Sequence, residues 1–309
     1  MIECVPNFSE GRNPETIDAI VAAIESVDGT IVLHRTSDWD HNRSVITFAG
    51  QEHAVLESAV RCTAVAAARI DLNMHQGVHP RLGVLDVLPF VPLEGATIDD
   101  CVAIAHRAGE RIWSELGIPV YFYEAAAKQA HRQRLEDVRR GEFESLRGEV
   151  LTDPGKRPDI GGPELHPTAG AVIVGARKFL IAYNVNLQTS DINVAKEIAR
   201  LIRTSSGGFP EVKALGLALP SRGMVQVSMN LTDFEQTGVD TVYVEISRLA
   251  AERGVEIAES ELIGLMPRRA MEQAGARLLK LNGFEPQSIV ENRIEALHRA
   301  RLSLSRPVS

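Results

Sequence analysis

Twice along this chain, short apolar runs of strand character alternate with amphipathic helical stretches in the order β-α-β-β-α-β. In the first pass, MIECVPNF reads as one short buried strand and NPETIDAIVAAIES as a helix. Asn13 can cap that helix, Pro14 falls at its first position, and Ile17, Ile20, Val21 and Ile24 share one stripe. TIVLHRTSD and RSVITFAG read as two strands close enough to pair as a hairpin, QEHAVLESAVRCTAVAAARI as an Ala-rich helix, and VLDVLPFVPL as a fourth strand. In the second pass, KFLIAYNVNL is a strand and SDINVAKEIARLIRT a helix capped by Ser190 or Asp191. VKALGLALP and MVQVSMNLT are strands joined by a Pro-Ser-Arg-Gly turn; VDTVYVEISRLAAERG is a helix ending at Gly254, and VEIAESELIGLMP contains the last strand. This is the order of the split βαβ, or ferredoxin-like, unit. The expected fold class is α+β, with two such units in tandem over roughly residues 1–95 and 178–267. Two unrelated α/β halves would give the same element order.

Between the repeats, TIDDCVAIAHRAGERIWSELG predicts a helix with Thr97 as cap, Asp100 near its third position and Gly117 just past its end. IPVYFYEAAA predicts a strand extending the first sheet, and HRQRLEDVRRGEFESLRGEV a charged surface helix or pair of turns. LTDPGKRPDIGGPELHPTAG follows, a Pro/Gly-rich loop long enough to be either functional or a linker. EPQSIVENRIEALHRARL predicts a C-terminal amphipathic helix. The repeats and this insertion divide the chain into a subdomain over 1–177 and another over 178–309.

A chain of 309 residues buries a substantial core without disulfides or a metal. A formal charge of −8 argues against a sequence-independent nucleic-acid partner. No stretch approaches 18 uninterrupted apolar residues, so no membrane partner is expected, and the N-terminus lacks the pattern of a secretory signal. Three cysteines without paired spacing fit a reduced, cytoplasmic compartment.

Four segments carry candidate chemistry. NMHQGVHPRLGVLD holds His75 and His79, four apart. Two histidines at that spacing on one helix face would suit zinc, but Gly77 and Pro80 interrupt any helix, so a metal with Asp86 as third ligand is not the expected reading. His79, set toward extended backbone by Pro80, suits a proton shuttle. The plainer alternative is a histidine at the end of the Ala-rich helix, which fits His75 better. SDWDHNRSV gathers Asp38, Asp40, His41, Asn42 and Arg43 in one hairpin loop, which is either a ligand loop or a polar tip making local turns. PNFSEGRNPE offers Asn7, Ser9, Gly11 and Arg12 before a helix, as an anion-binding turn or as capping residues. GARKFLIAYNVNL places Arg177 and Lys178 where one could clamp a carboxylate, or both could be surface cations.

Together ECVPNFSEGR, DHNRSV, HQGVHPRLGVLDVLPF and GARKFLIAYNVNL closely resemble the formiminotransferase family, in the right order over roughly residues 1–300. The resemblance implies two ferredoxin-like subdomains with the ligands between them and a homodimer; no metal is expected. It implies transfer of the formimino group of N-formimino-L-glutamate to N5 of tetrahydrofolate in histidine degradation, with small molecules as its partners. His79 falls at the family's catalytic histidine, and a single imidazole there can act first as base and then as acid. Gly161, Gly162, Pro163, Glu164, Leu165, His166, Pro167, Thr168, Ala169 and Gly170 fall at its folate loop. Asn7, Ser9, Asp38, Asp40, Asn42, Arg43, Arg177 and Lys178 are the candidate donor-binding residues. Two departures stand out: the family's aromatic near the end of the folate loop is replaced by Thr168 and Ala169, and Trp39 occupies the hairpin. A chain of this length is not expected to hold the cyclodeaminase domain fused to animal members. The rival activities are a formiminoglutamate hydrolase and a non-catalytic folate-binding protein.

Overall fold

The computed structural model describes residues 1–39, 41–77, 79–281, 284–290 and 292–294. The chain forms two compact units, Met1–Phe179 and Leu180–Ser309. In the first, the elements in chain order are β1 (Ile2–Cys4), β2 (Asn7–Phe8), α1 (Pro14–Glu25), β3 (Thr30–Asp38), β4 (Arg43–Gly50), α2 (Glu52–Arg69) and β5 (Leu85–Pro92). There follow α3 (Ile98–Leu116), β6 (Val120–Glu124), α4 (Leu135–Val138), α5 (Glu142–Thr152) and β7 (Val172–Ala176). β1 and β2 both pair antiparallel with β4 on one side and β5 on the other. They are one central strand interrupted at Val5–Pro6, not the continuous strand expected. Pro6 has no N–H for the ladder, although its carbonyl accepts from the Ile46 N–H at 3.1 Å.

The sheet runs β3-β4-β1/β2-β5-β7-β6, and its last two strands join in parallel. The strand expected from IPVYFYEAAA is β6, and it reaches the first sheet through β7, to which the sequence reading assigned no element. β7 is only five residues long and contains Gly175, so its own strand signal is weak. Phe8, Phe48, Phe90 and Phe122 fill the core with Ile20, Ile24 and Ile104 from the helices. The capping predictions hold: Asn13 accepts from the Thr16 N–H, Thr97 and Asp100 form a reciprocal capping box, and Gly117 closes α3 in the left-handed conformation. α5 is a correction to the surface reading, because Phe143, Leu146 and Val150 bury one of its faces.

The second unit contains β8 (Ile181–Leu187), α6 (Ile192–Ile202), β9 (Val212–Leu219), β10 (Met224–Leu231), α7 (Val239–Ala251), β11 (Ile257–Ile263) and α8 (Arg268–Leu278). Its four strands are all antiparallel in the order β11-β8-β10-β9. In both units the first strand of the repeat lies between the fourth and the third, and the second lies outermost, as in a ferredoxin-like sheet. Asp191 caps α6 through the Asn193 N–H. Most of the expected C-terminal helix lies outside the described residues. Among the described residues, no helix is long and apolar enough to cross a membrane.

Candidate active site

Three loops of the first unit meet at Asn42. Its Oδ1 accepts from the Gly11 N–H at 2.9 Å, its Nδ2 donates to the Gln76 carbonyl at 3.1 Å, and its own carbonyl meets His75 Nε2 at 2.9 Å. Its φ of 46° is left-handed, which asparagine tolerates better than most residues. Glycines permit the close approach of the other two loops. A Cβ on Gly11 would stand 2.2 Å from the Asp38 carbonyl oxygen, and one on Gly77 2.3 Å from the His41 carbonyl oxygen. The segments around residues 11, 42 and 77, far apart in sequence, are thus held as one body.

His75 departs from expectation. α2 ends at Arg69, so His75 lies well past the helix end and no dipole argument applies to it. It is half-buried against Asn42; burial lowers its pKa, and its Nδ1 is buried without a partner. His79 is also half-buried, and its Nδ1 lies 2.7 Å from the Pro80 carbonyl oxygen. A carbonyl only accepts, so Nδ1 carries the proton and Nε2 the basic lone pair. Burial, with Arg43 and Arg139 adding to it, pushes the His79 pKa down to about 4. The His41 ring lies 6.1 Å from that of His79, centroid to centroid. His41 is held in turn by Asp38, at 2.8 Å from its Nδ1 and through its backbone N–H.

Beneath His79 lies a buried ionic cluster. Asp86 is fully buried and accepts from the Leu82 N–H at 2.8 Å, Arg43 Nη1 at 2.8 Å and Arg139 Nη2 at 2.6 Å. Burial pushes the Asp86 carboxyl up, but Arg139 and Arg43 outweigh it and hold the pKa below its ordinary value. The Nε and Nη2 of Arg43 also donate to Asn7 Oδ1. Ser9 is buried, its hydroxyl donating to the Gly83 carbonyl at 2.8 Å. Arg81 forks onto Glu144 and reaches the His75 carbonyl. The sequence reading missed Arg139, and it placed His41 in the hairpin loop without linking it to His79. Arg139 sits in a charged run that reads as solvated surface, and its partner Asp86 is 53 positions away. His41 was visible in DHNRSV, but nothing local tied it to His79.

The Pro/Gly loop is anchored to the segment that carries His79. Its end forms a tight turn, with His166 and Gly170 exchanging backbone bonds of 2.9 and 3.0 Å. The Thr168 carbonyl accepts from the Leu72 N–H, that of Ala169 from the Val84 N–H, and that of Pro167 from Asn73 Nδ2. Ala169, Gly170 and Leu165 are buried, whereas Gly162, Pro163 and Glu164 are exposed. Gly161 packs where a Cβ would strike the Trp113 ring at 2.5 Å. Trp39 is 66% exposed, with the Arg12 guanidinium 5.5 Å above its ring.

The remaining candidates are dispersed. Arg177 follows β7, donates to the Lys178 carbonyl, and opposes the burial that raises buried Glu3 to about 7. Lys178 is exposed, whereas Asp38, at the exposed end of β3, is brought toward His79 through His41. Asp40 lies outside the described residues. Among the described residues, no group of three or more His, Cys, Asp or Glu side chains gathers as a metal site.

Residues 1–177 match the family model described as the formiminotransferase domain, N-terminal subdomain, and residues 182–304 match that of the formiminotransferase domain. A glutamate formimidoyltransferase of Streptococcus pyogenes is 42% identical over 95% of this chain and 98% of its own length. Another, from Thermoplasma acidophilum, is 43% identical over 96% of this chain and 97% of its own. The formimidoyltransferase-cyclodeaminase of Sus scrofa is 43% identical over 89% of this chain, which spans only 52% of that longer relative. On these matches, which run through both repeats and through the loops around His79, the chain belongs to the formiminotransferase family.

Proposed function

We propose that this protein transfers the formimino group of N-formimino-L-glutamate to N5 of tetrahydrofolate, releasing L-glutamate. The names of its near full-length relatives support the reaction, and one observation supports His79 as its proton shuttle: the imidazole has its Nδ1 engaged by Pro80 and a pKa of about 4. At neutral pH it is unprotonated, with the Nε2 lone pair available to take a proton; in the free protein it is a weak base, since proton transfer is favoured by a pKa nearer the working pH. N5 bonds to the formimino carbon and sheds a proton to Nε2. The carbon–nitrogen bond to glutamate then breaks, and the same proton passes to the leaving nitrogen. No covalent enzyme intermediate or metal is required.

Asp38 and Asp40 supply negative charge for the formimino cation. Asn7, Ser9, Asn42 and Arg43 shape the donor side, and Arg177 and Lys178 are cations for carboxylates. Residues 161–170 hold the folate. In this reading the subdomains are 1–177 and 178–309, and the protein works as a homodimer in the cytoplasm, in histidine degradation. Its three cysteines are free and buried, in keeping with a reducing compartment.

The test is an assay of formiminoglutamate with and without tetrahydrofolate. Glutamate release is expected only with tetrahydrofolate, and His79→Ala is expected to lower kcat by about 10²–10⁴ while folate binding persists. Release without tetrahydrofolate would indicate hydrolysis, and folate binding without transfer a binding protein. Wild-type turnover by His79→Ala would remove His79 from the mechanism.

A further inference from the structure

The buried charges beside His79 do not balance. Arg43 gives Nη1 to Asp86 and both Nε and Nη2 to Asn7. Asp86 accepts the Leu82 N–H on Oδ1 and both guanidiniums on Oδ2. Arg139 gives Asp86 one nitrogen, Nη2, and its Nε is buried without a partner. Among the described residues, no second carboxylate lies within ion-pair distance of Arg43 or Arg139. Two guanidiniums therefore share one carboxylate, and the cluster carries a surplus positive charge where desolvation makes it costly. The exposure of the three side chains is graded: Asp86 at 0%, Arg43 at 9% and Arg139 at 16%. Arg139 is thus the least buried member of the cluster. Its effect on the His79 imidazole places that surplus within electrostatic range of the proposed base.

We propose that Arg139 is the anchor for a carboxylate of the amino-acid donor, with Asp86 and Arg43 holding its guanidinium in place. The inference rests on the donor being formiminoglutamate, and it adds to the cations Arg177 and Lys178 a carboxylate anchor that Arg43, whose donors are already engaged, does not offer. Guanidinium suits the task because its planar fork matches a carboxylate, and a bound carboxylate neutralises the surplus charge. Neutralisation also makes His79 more basic once the donor is bound, because a cation that opposes its protonation is then compensated.

The test combines binding with turnover in the full chain, using Arg139→Gln and Arg139→Lys. Arg139→Gln is expected to weaken calorimetric binding of L-glutamate and raise the KM for formiminoglutamate, each about 10–100-fold, with kcat little changed. Arg139→Lys should fall between, keeping the charge but losing the fork. One of the two donors carrying a carboxamide in place of a carboxylate, formiminoglutamine or formiminoisoglutamine, should show the same loss with the wild type and no further loss with Arg139→Gln. Equal losses by Arg139→Gln with all three donors, a change in kcat alone, or unaltered glutamate binding would each overturn the proposal. If Arg139→Gln does not fold, Arg139→Lys on the same donors decides. A wild type that binds glutamate through Arg139 but transfers nothing would sink the transfer reading and leave the carboxylate site standing.

Discussion

In the first unit the opening strand breaks at Pro6 and runs on into a loop that packs against the β3–β4 hairpin through Gly11. In the second, the equivalent strand β8 runs unbroken from Ile181 to Leu187, and β9 and β10 are joined by the short Pro220–Gly223 turn. The sheet order is the same, but the loops differ. The first unit's loops cross one another and carry His41, Asn42, His75 and His79. The second concentrates its polar groups on strands: Asn186 bridges Glu259 and Glu261, and Gln226 donates to Asn186 and Glu261. Arg222 pairs with both glutamates. A shared βαββαβ frame thus fixes strand neighbours but leaves loop length free, and long loops on a rigid sheet are where catalytic groups gather.

The largest test of this contrast sets a buried carboxylate of each unit against the other. Asp86→Asn leaves two buried guanidiniums uncompensated and is expected to cost about 3–5 kcal/mol in denaturant unfolding, with loss of activity. Asp240→Asn in the second unit removes the partner of half-exposed Arg277 and should cost about 1 kcal/mol or less. Equal losses would mean that the Asp86 cluster is no more demanding than a buried carboxylate paired with one half-exposed arginine.

Packing comes next. A Cβ on Gly216 would stand 2.3 Å from the Lys196 backbone nitrogen, where β9 meets α6. Gly216→Ala should lose about 1–3 kcal/mol of stability, with kcat unchanged below the unfolding transition. Gly11→Ala should lose a similar amount and also lower activity, since it forces the three crossing loops apart. The contrast fails if both variants affect kcat alike.

The pH dependence is a finer test, because the described histidines all lie in the first unit. With a folded pKa of about 4 against an ordinary 6.5, the unfolded chain takes up the His79 proton first as pH falls. The contribution of His79 to stability is present above pH 6.5 and lost between 6.5 and 4. The acid limb of kcat/KM for the free enzyme should accordingly lie near 4, and Arg139→Gln should move it upward by removing one opposing cation. A limb at 6.5 in both proteins would refute the electrostatic account of His79.

The smallest effect should be the same in both units. Asn13→Ala and Asp191→Ala each delete one N-cap acceptor and should each cost about 1 kcal/mol in thermal unfolding.

Much of the frame was legible in the residues. Helix caps at Asn13, Thr97 and Asp191 are local, and so is the period of the apolar stripes. The interruption at Pro6 was present in MIECVPNF but overridden by its apolar character. β7 was missed because it is short and glycine-bearing, and it is a strand only between β5 and β6. Within the site, Asn42 and Arg43 were found by composition, but their contacts were not. Asn42 bonds to Gly11 and Gln76, which lie 31 and 34 positions away. α2 ends where its alanines do, at Arg69, and His75 was misplaced because it was read as a helix-end residue although it lies six positions beyond that end.

The sequence by itself determined the two repeats, their strand and helix types, and the histidine-bearing loop, because periodicity, capping and proline restrictions act over a few residues. Only the tertiary structure decided that Asp86 receives Arg43 and Arg139 together, that the Pro/Gly loop is tied to Leu72 and Val84, and that His41 faces His79. Those outcomes depend on partners brought together by sheet pairing across dozens of residues. Whether an arginine is a solvated surface charge or half of a buried surplus is settled by its neighbours in space.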